Sequence, residues 1–282
     1  MATTLSNVMV GAWRKIGDLT DLLATGGSTT TIISTSSPFT ADDALNGGTA
    51  IVIRDSAGAG AAPEGEFSLI SDYVASTTTW TIGTLTTAVA SGDAVGLAKP
   101  RIRLQQMKQA VNAGLTALGT ISLVDTSLTT VEGQTEYAIP VGLKIKELKD
   151  VLIQTNIESS NNYYESVKGL IKDFPAAPGS TGLLQFISEP LSGYTIKIVY
   201  EGVHPVLSAY NDVVSETIQP ELAIAATVNE ALTWLASKRG ESALGTFLLQ
   251  RWNDAKVTLE QVKYEKPVFR ASNKPKFFIY GA

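Results

Sequence analysis

Residues 220–263, PELAIAATVNEALTWLASKRGESALGTFLLQRWNDAKVTLEQVK, carry the longest helical periodicity in the chain. Leu222, Ala225, Val228, Leu232 and Leu235 fall three or four apart. After Gly240 the same rule holds for Leu244, Phe247, Leu248, Trp252, Ala255, Leu259 and Val262. Two amphipathic helices, Pro220 to Arg239 and Ser242 to Lys263, are expected to form a hairpin, each with one apolar stripe to bury. Pro220 suits a first helical turn, where its missing N–H costs nothing, and Glu221 adds a favourable charge there. Gly240, following Lys238 and Arg239, suits a left-handed C-cap.

Two further helices are expected upstream. Leu5, Val8, Met9, Ala12, Ile16, Leu19 and Leu22 share helical spacing, with Thr4 or Ser6 as N-cap and Gly26-Gly27 as the stop. Pro100 opens the other, in which Ile102, Leu104, Met107, Val111, Leu115 and Leu118 form an apolar face that ends at Gly119.

Between these helices the texture changes to Thr, Ser, Gly and Ala. Short β-branched runs at Thr29–Ser34, Thr49–Arg54, Phe67–Tyr73, Thr79–Ile82 and Ala94–Leu97 are separated by turn-forming clusters. They predict a small antiparallel module inserted on a helical base. A second β-region follows, with strands expected at Thr135–Ile139, Lys144–Thr155, Val167–Ile171, Leu183–Ile187 and Tyr194–Tyr200. The fold class is therefore α+β: a helical bundle with two antiparallel β-modules inserted and an extended C-terminal arm. Its parts are 1–27, 99–119 and 205–263 for the bundle, 28–98 for the inserted β-module, 120–204 for a sandwich-like module and 264–282 for the arm.

At 282 residues the chain is long enough for two or three modules. Its formal net charge of -5 does not suit a protein that wraps nucleic acid. With no cysteine and one histidine, disulfide frameworks, thiolate zinc sites and thiol nucleophiles are excluded by inventory. The N-terminus has Arg14 and Lys15 in its middle and no continuous apolar core, so neither a signal peptide nor an anchor is expected. Nothing approaches the roughly 20 apolar residues of a membrane span. Synthesis in the cytoplasm and no membrane partner are expected.

Little in the chain points to chemistry. A Ser-His-Asp arrangement would have to draw on His204, Ser208 and Asp212, and a histidine beside a proline in a linker is the simpler reading. Asp42, Asp43 and Asp72 follow no EF-hand spacing and read as turn residues. The stretch Gly58 to Gly65 lacks the Gly-Lys-Ser/Thr of a phosphate loop and reads as a hairpin tip. Glu64 with Glu66, or Glu158 with Glu165, read as solvated loop charges. Trp234 and Trp252 lie on or beside apolar helix faces, while Trp13 or Trp80 is a candidate for exposure to a partner. No enzyme, cofactor or metal is expected.

Charge placement says more. From Lys263 to Ala282 there are five cations and one anion, a local charge of +4, so the other 262 residues carry -9 of the total of -5. The stretch holds Pro267, Pro275 and five large aromatics. A proline-broken, basic, aromatic arm on an acidic body suits an acidic protein surface, including that of a neighbouring copy. Tyr264, Lys266, Phe269, Arg270, Lys274, Lys276, Phe277, Phe278 and Tyr280 are its candidate partner-binding residues.

The order of helix, Thr/Gly-rich insert, "RIRLQQMKQAVNAGL", "LVDTSLTTVEGQTEYAIP", "YTIKIVYEGVHPVLSAYND" and "PELAIAATVNEALTWLASKRG" resembles the head–tail adaptor (neck) proteins of tailed bacteriophages. The resemblance covers most of the chain in architecture, and Glu201–Asp212 and Pro220–Gly240 carry it most strongly. It implies a virion protein forming a homo-oligomeric ring, usually dodecameric, under the portal. Such a ring extends the DNA channel without binding DNA specifically and offers a docking surface to the tail or nozzle protein. It implies no catalytic residue. The rival expectation is a tail or baseplate module that binds a host surface receptor through a β-module, which exposed Trp80 and Tyr73 would favour.

Overall fold

The computed structural model describes residues 2–140, 145–155, 163–167, 171–173, 182–239 and 245–265. The chain is mixed α and β, with four helices and antiparallel sheets, and it divides into two compact units. Among the described residues, the first comprises the chain up to Leu118 together with 205–239 and 245–265. The second comprises Gly119–His204.

In the first unit, helix α1 (Leu5–Ile16) starts where Thr4 Oγ1 accepts the Asn7 N–H. It ends at Gly17, whose φ of 83° is the left-handed cap conformation. The helix therefore ends well before the expected stop at Gly26-Gly27. Leu19 and Leu22 fit helical spacing only by coincidence, because they lie in strand β1 (Leu19–Leu23). Helix α2 runs over Leu104–Ala117, so it starts past the expected opening at Pro100. Ile102 precedes it, fully buried, and its carbonyl accepts the Trp13 indole N–H at 3.3 Å.

Helices α3 (Pro220–Arg239) and α4 (Gly245–Glu265) occupy the opening stretch. α3 packs against α1, α2 and α4. This overturns its expected single apolar stripe: Leu222, Ala223, Ala226, Thr227, Ala231, Leu232 and Leu235 are buried around much of its circumference. A helix with neighbours on three sides needs small side chains more than it needs a wet face. α4 continues through Tyr264 and Glu265, so the arm cannot begin at Tyr264. The proposed cap at Gly240 and the position of Leu244 lie outside the described residues, while Val262 falls within α4.

Between α1 and α2 the chain makes a seven-stranded sheet from β1, β2 (Gly26–Gly27), β3 (Thr31–Ile33), β4 (Thr49–Arg54), β5 (Phe67–Val74), β6 (Thr79–Ile82) and β7 (Ala94–Ala98). Its spatial order is β1-β7-β4-β5-β6-β3-β2, antiparallel throughout. The strands at the two ends of that order, β1 and β2, are separated in the chain by Ala24 and Thr25 alone, so the sheet curls round until its ends meet, as a small barrel does. Its core contains Ile32, Val52, Ile70, Tyr73, Trp80, Val95 and Leu97. Because β1 pairs residue for residue with β7, from Leu19↔Ala98 to Leu23↔Ala94, the sheet takes in residues from Leu19, upstream of the expected Ser28.

The second unit has two sheets. β8 (Thr120–Thr129), β10 (Ile145–Gln154), β11 (Tyr164–Ser166) and β14 (Thr195–Val203) form one, in the order β11-β10-β14-β8. β9 (Glu136–Ala138), β12 (Ile171–Asp173) and β13 (Leu183–Gln185) form the other, in the order β12-β13-β9. One apolar core serves both, with Tyr137, Leu184 and Phe186 from the smaller sheet and Val151, Ile196, Ile198 and Tyr200 from the larger. The ten-residue edge strand β8 is absent from the expected set. Between the pairs Leu128↔Ile196 and Asp125↔Ile198 two of its residues face one, a bulge that breaks the alternation by which a strand is read.

Candidate functional site

The residues considered for chemistry have structural work. The Asp212 carboxylate accepts the backbone N–H groups of Ser208 and Ala209, at 2.5 and 2.8 Å, and these bonds hold its pKa below the usual carboxylate range. The same segment ties two helices. Asn112 of α2 donates to the Leu207 carbonyl and accepts the Leu207 N–H, at 2.9 and 2.8 Å. The carbonyls of Asp212 and Tyr210 accept from Leu5 and Ser6 of α1. Ser208 and Asp212 thus close a belt across α1 and α2. His204 is buried in the other unit. Asn112 escaped the sequence reading, since a half-buried Asn on a helix has no linear signature.

Asp42 accepts from the Ala75 N–H and Asp43 from the Asn46 amide, and among the described residues no group of three or more acids or histidines is placed to hold a metal. Residues Gly58–Gly65 do lie in the connection from β4 to β5. Glu66, expected in solvent, is buried and its carboxylate accepts both the N–H and the hydroxyl of Thr86. Glu158 lies outside the described residues. Neither Trp13 nor Trp80 is exposed: both are fully buried, and Trp80 stacks on Tyr73 with ring centroids 4.5 Å apart and the rings 24° from parallel. The exposure that would favour a receptor-binding β-module is therefore absent from these two aromatics.

Of the candidate partner-binding residues, Tyr264 is in α4, while Lys266, Phe269, Arg270, Lys274, Lys276, Phe277, Phe278 and Tyr280 lie outside the described residues. On α4 itself, Phe247 was expected in the apolar stripe, yet it is 55% exposed with the Arg251 guanidinium over its ring at 5.1 Å. Leu248, next to it, is buried.

Three of the exposed apolar side chains of the second unit lie on two loops, next to the smaller sheet, that hydrogen bonds join. Val131, in the connection from β8 to β9, is 51% exposed. Ile187 and Leu191, in the connection from β13 to β14, are 71% and 76% exposed. Buried Thr130 joins these loops: its N–H donates to the Tyr194 carbonyl at 2.8 Å, its hydroxyl to the Leu191 carbonyl at 2.6 Å, and its own carbonyl accepts from Gly193 at 2.9 Å. Glu189 reaches across to accept the Gly133 N–H. The Tyr137 hydroxyl, under the same loop, accepts the Val131 N–H at 2.9 Å. These bonds hold the aliphatic side chains out on an ordered support. Residues 130–140 and 182–194 contain Glu132, Glu136 and Glu189 and no Lys, Arg or His. Exposed aliphatic side chains on loops whose own sequence is acidic suit a partner bearing aromatic and basic groups.

No protein-family model matches the chain, and no curated protein matches it.

Proposed function

We propose that the chain is a structural virion protein: a head–tail adaptor whose copies form a ring, usually dodecameric in such proteins, between the portal and the tail of a bacteriophage. In this reading the four helices form one bundle, the wall of the ring. The seven-stranded module and the two-sheet unit are insertions on it, and the stretch after Glu265 is an extended arm that locks onto a neighbour. The observation that carries the reading is the placement of α3, which packs against α1, α2 and α4 while the two β-regions occupy the α1–α2 and α2–α3 connections. A helical frame bearing separate β-units lets one part of the chain hold a ring while others meet different partners. A net charge of -5 also suits a channel wall past which DNA slides, since like charge keeps phosphates from adhering.

The test is electron microscopy of the purified protein, alone and mixed with the portal protein encoded in the same genome. A closed ring, or a ring that forms on the portal, is the expected result. A trimeric fibre, or an isolated chain indifferent to portal, overturns the reading and favours a receptor-binding tail module.

A further inference from the structure

The exposed surface formed by Val131, Ile187 and Leu191 needs an occupant, and the chain itself contains one of matching chemistry. Residues 266–282 carry Lys266, Arg270, Lys274 and Lys276 with no acid, and Phe269, Phe277, Phe278 and Tyr280 supply aromatic bulk. We propose that this stretch of one copy docks on the Val131–Ile187–Leu191 surface of the next copy, making an open-ended, head-to-tail junction that closes only as a ring. The proposal rests on the ring reading above and names the surface that receives the arm.

The chemistry of the two parts is complementary. Three aliphatic side chains, each more than half exposed, offer sites for aromatic anchors, which contribute most to such contacts. The two stretches that carry them, 130–140 and 182–194, hold Glu132, Glu136 and Glu189 and no Lys, Arg or His, a formal charge of -3 against +4 on the arm. One oxygen of Glu189 is held by Gly133 and one of Glu136 by the Gln185 amide at 3.2 Å, so both carboxylates are oriented before a partner arrives. The hydrogen bonds through Thr130 hold the loops that carry Val131 and Leu191, so these loops need no ordering when a partner docks. Seventeen residues reach about 55–60 Å when extended, ample to bridge to an adjacent subunit.

A complementation experiment with the full chain tests this. One variant carries Ile187→Asp and Leu191→Asp; a second is truncated after Glu265. Both substituted positions are surface sites, and unchanged circular dichroism certifies the fold of each variant. Wild type is expected to associate into rings, and each variant alone to stay monomeric. An equimolar mixture should give a dimer and nothing larger, because only one intact arm and one intact surface remain to meet. A charge-reversed set checks the pairing independently: Glu132→Lys with Glu136→Lys abolishes assembly, and adding Lys274→Glu with Lys276→Glu restores it.

Rings that persist in the Ile187/Leu191 variant, or a mixture that stays monomeric, overturn the proposal. So does a wild-type chain that is monomeric at every concentration, which would mean that the surface is covered within one copy or not at all. The two readings separate cleanly. Complementation without any binding to portal leaves the arm junction standing and removes the adaptor function. Portal-bound rings that ignore all these substitutions do the reverse.

Discussion

Gly114 of α2 lies so close to α3 that a Cβ added to it would sit 2.9 Å from the Ala226 carbonyl carbon and 3.0 Å from the Thr227 nitrogen. Backbone cannot move aside as a side-chain tip can. Gly114→Ala therefore forces the two helices apart, at a cost of about 1–3 kcal/mol as for other overpacked cores. Over most of that range the cost exceeds the roughly 1 kcal/mol that alanine returns in helix propensity. Gly11→Ala, by contrast, meets the Ile224 side chain, at 2.5 Å from its Cδ1, which a rotamer change relieves. Urea unfolding should show Gly114→Ala clearly less stable than wild type and Gly11→Ala closer to it. The opposite order would mean that α2 and α3 are not in this contact.

Leu232 is fully buried and Leu248 nearly so, whereas Phe247 is half in solvent. Truncation of either leucine to alanine should lower stability by about 2–5 kcal/mol, as for other buried leucines. Phe247→Ala should cost far less despite removing more atoms. Thermal or denaturant midpoints of the three variants decide it.

Because Leu19 pairs with Ala98 and the Lys99 N–H donates to the Asp18 carbonyl at 3.0 Å, the seven-stranded module enters and leaves at one place. Replacing residues Leu19–Ala98 with a short Gly/Ser linker should leave a soluble chain that retains its helical circular dichroism. Replacing only Ser28–Leu97 strands β1 without β7 and should give a less soluble product. Equal behaviour of the two deletions would contradict the strand pairing.

Two carboxylates should give stability opposite dependences on pH. Burial raises the pKa of Asp18, and Arg101, 3.6 Å away, and Lys99 offset this only in part. The native state then holds that proton longer than the unfolded chain does, so stability falls as pH rises from the ordinary carboxylate range to the raised value. Asp18→Asn should remove this fall. Asp212, with its lowered pKa, contributes its stabilisation above the ordinary range and loses it as pH drops through that range to the lowered value. Asp212→Asn should flatten that acid-side loss. Denaturant midpoints measured across pH 3 to 7, which brackets the ~3.9 of an unperturbed Asp, distinguish the two slopes.

In the proposed arm, Phe277→Ala with Phe278→Ala should weaken self-association more than Lys274→Ala with Lys276→Ala does, because aromatic anchors dominate contacts that cations mainly steer. The effect of the lysine pair should fade as salt rises while that of the phenylalanine pair persists. Sedimentation at two ionic strengths reads both. Equal salt sensitivity would assign the arm a purely electrostatic role.

Much of the local structure was legible in the sequence because it depends on neighbours a few residues apart. Strands β4 and β6 lie where the β-branched runs place them, α3 starts at Pro220, and Thr4 caps α1. The mixed α and β class follows from the same periodicities. Where tertiary contacts compete, the local pattern misleads. Leu19 and Leu22 continue the helical spacing of α1, but Gly17 adopts the left-handed cap and the pairing with β7 claims both leucines. In β8 an edge bulge erased the alternation.

The sequence by itself determined the inventory: no cysteine, one histidine, an acidic body with a basic aromatic end, and the positions of most helices and strands. Only the tertiary structure decided exposure. It buried Trp80 and Tyr73 against each other, closed Ser208 and Asp212 into a belt with Asn112, and left Val131, Ile187 and Leu191 in water. Periodicity is a property of one segment and can be read from it. Burial depends on which distant segment arrives beside it, as Thr130 and Tyr194, 64 residues apart, decide for the loops of Val131 and Leu191.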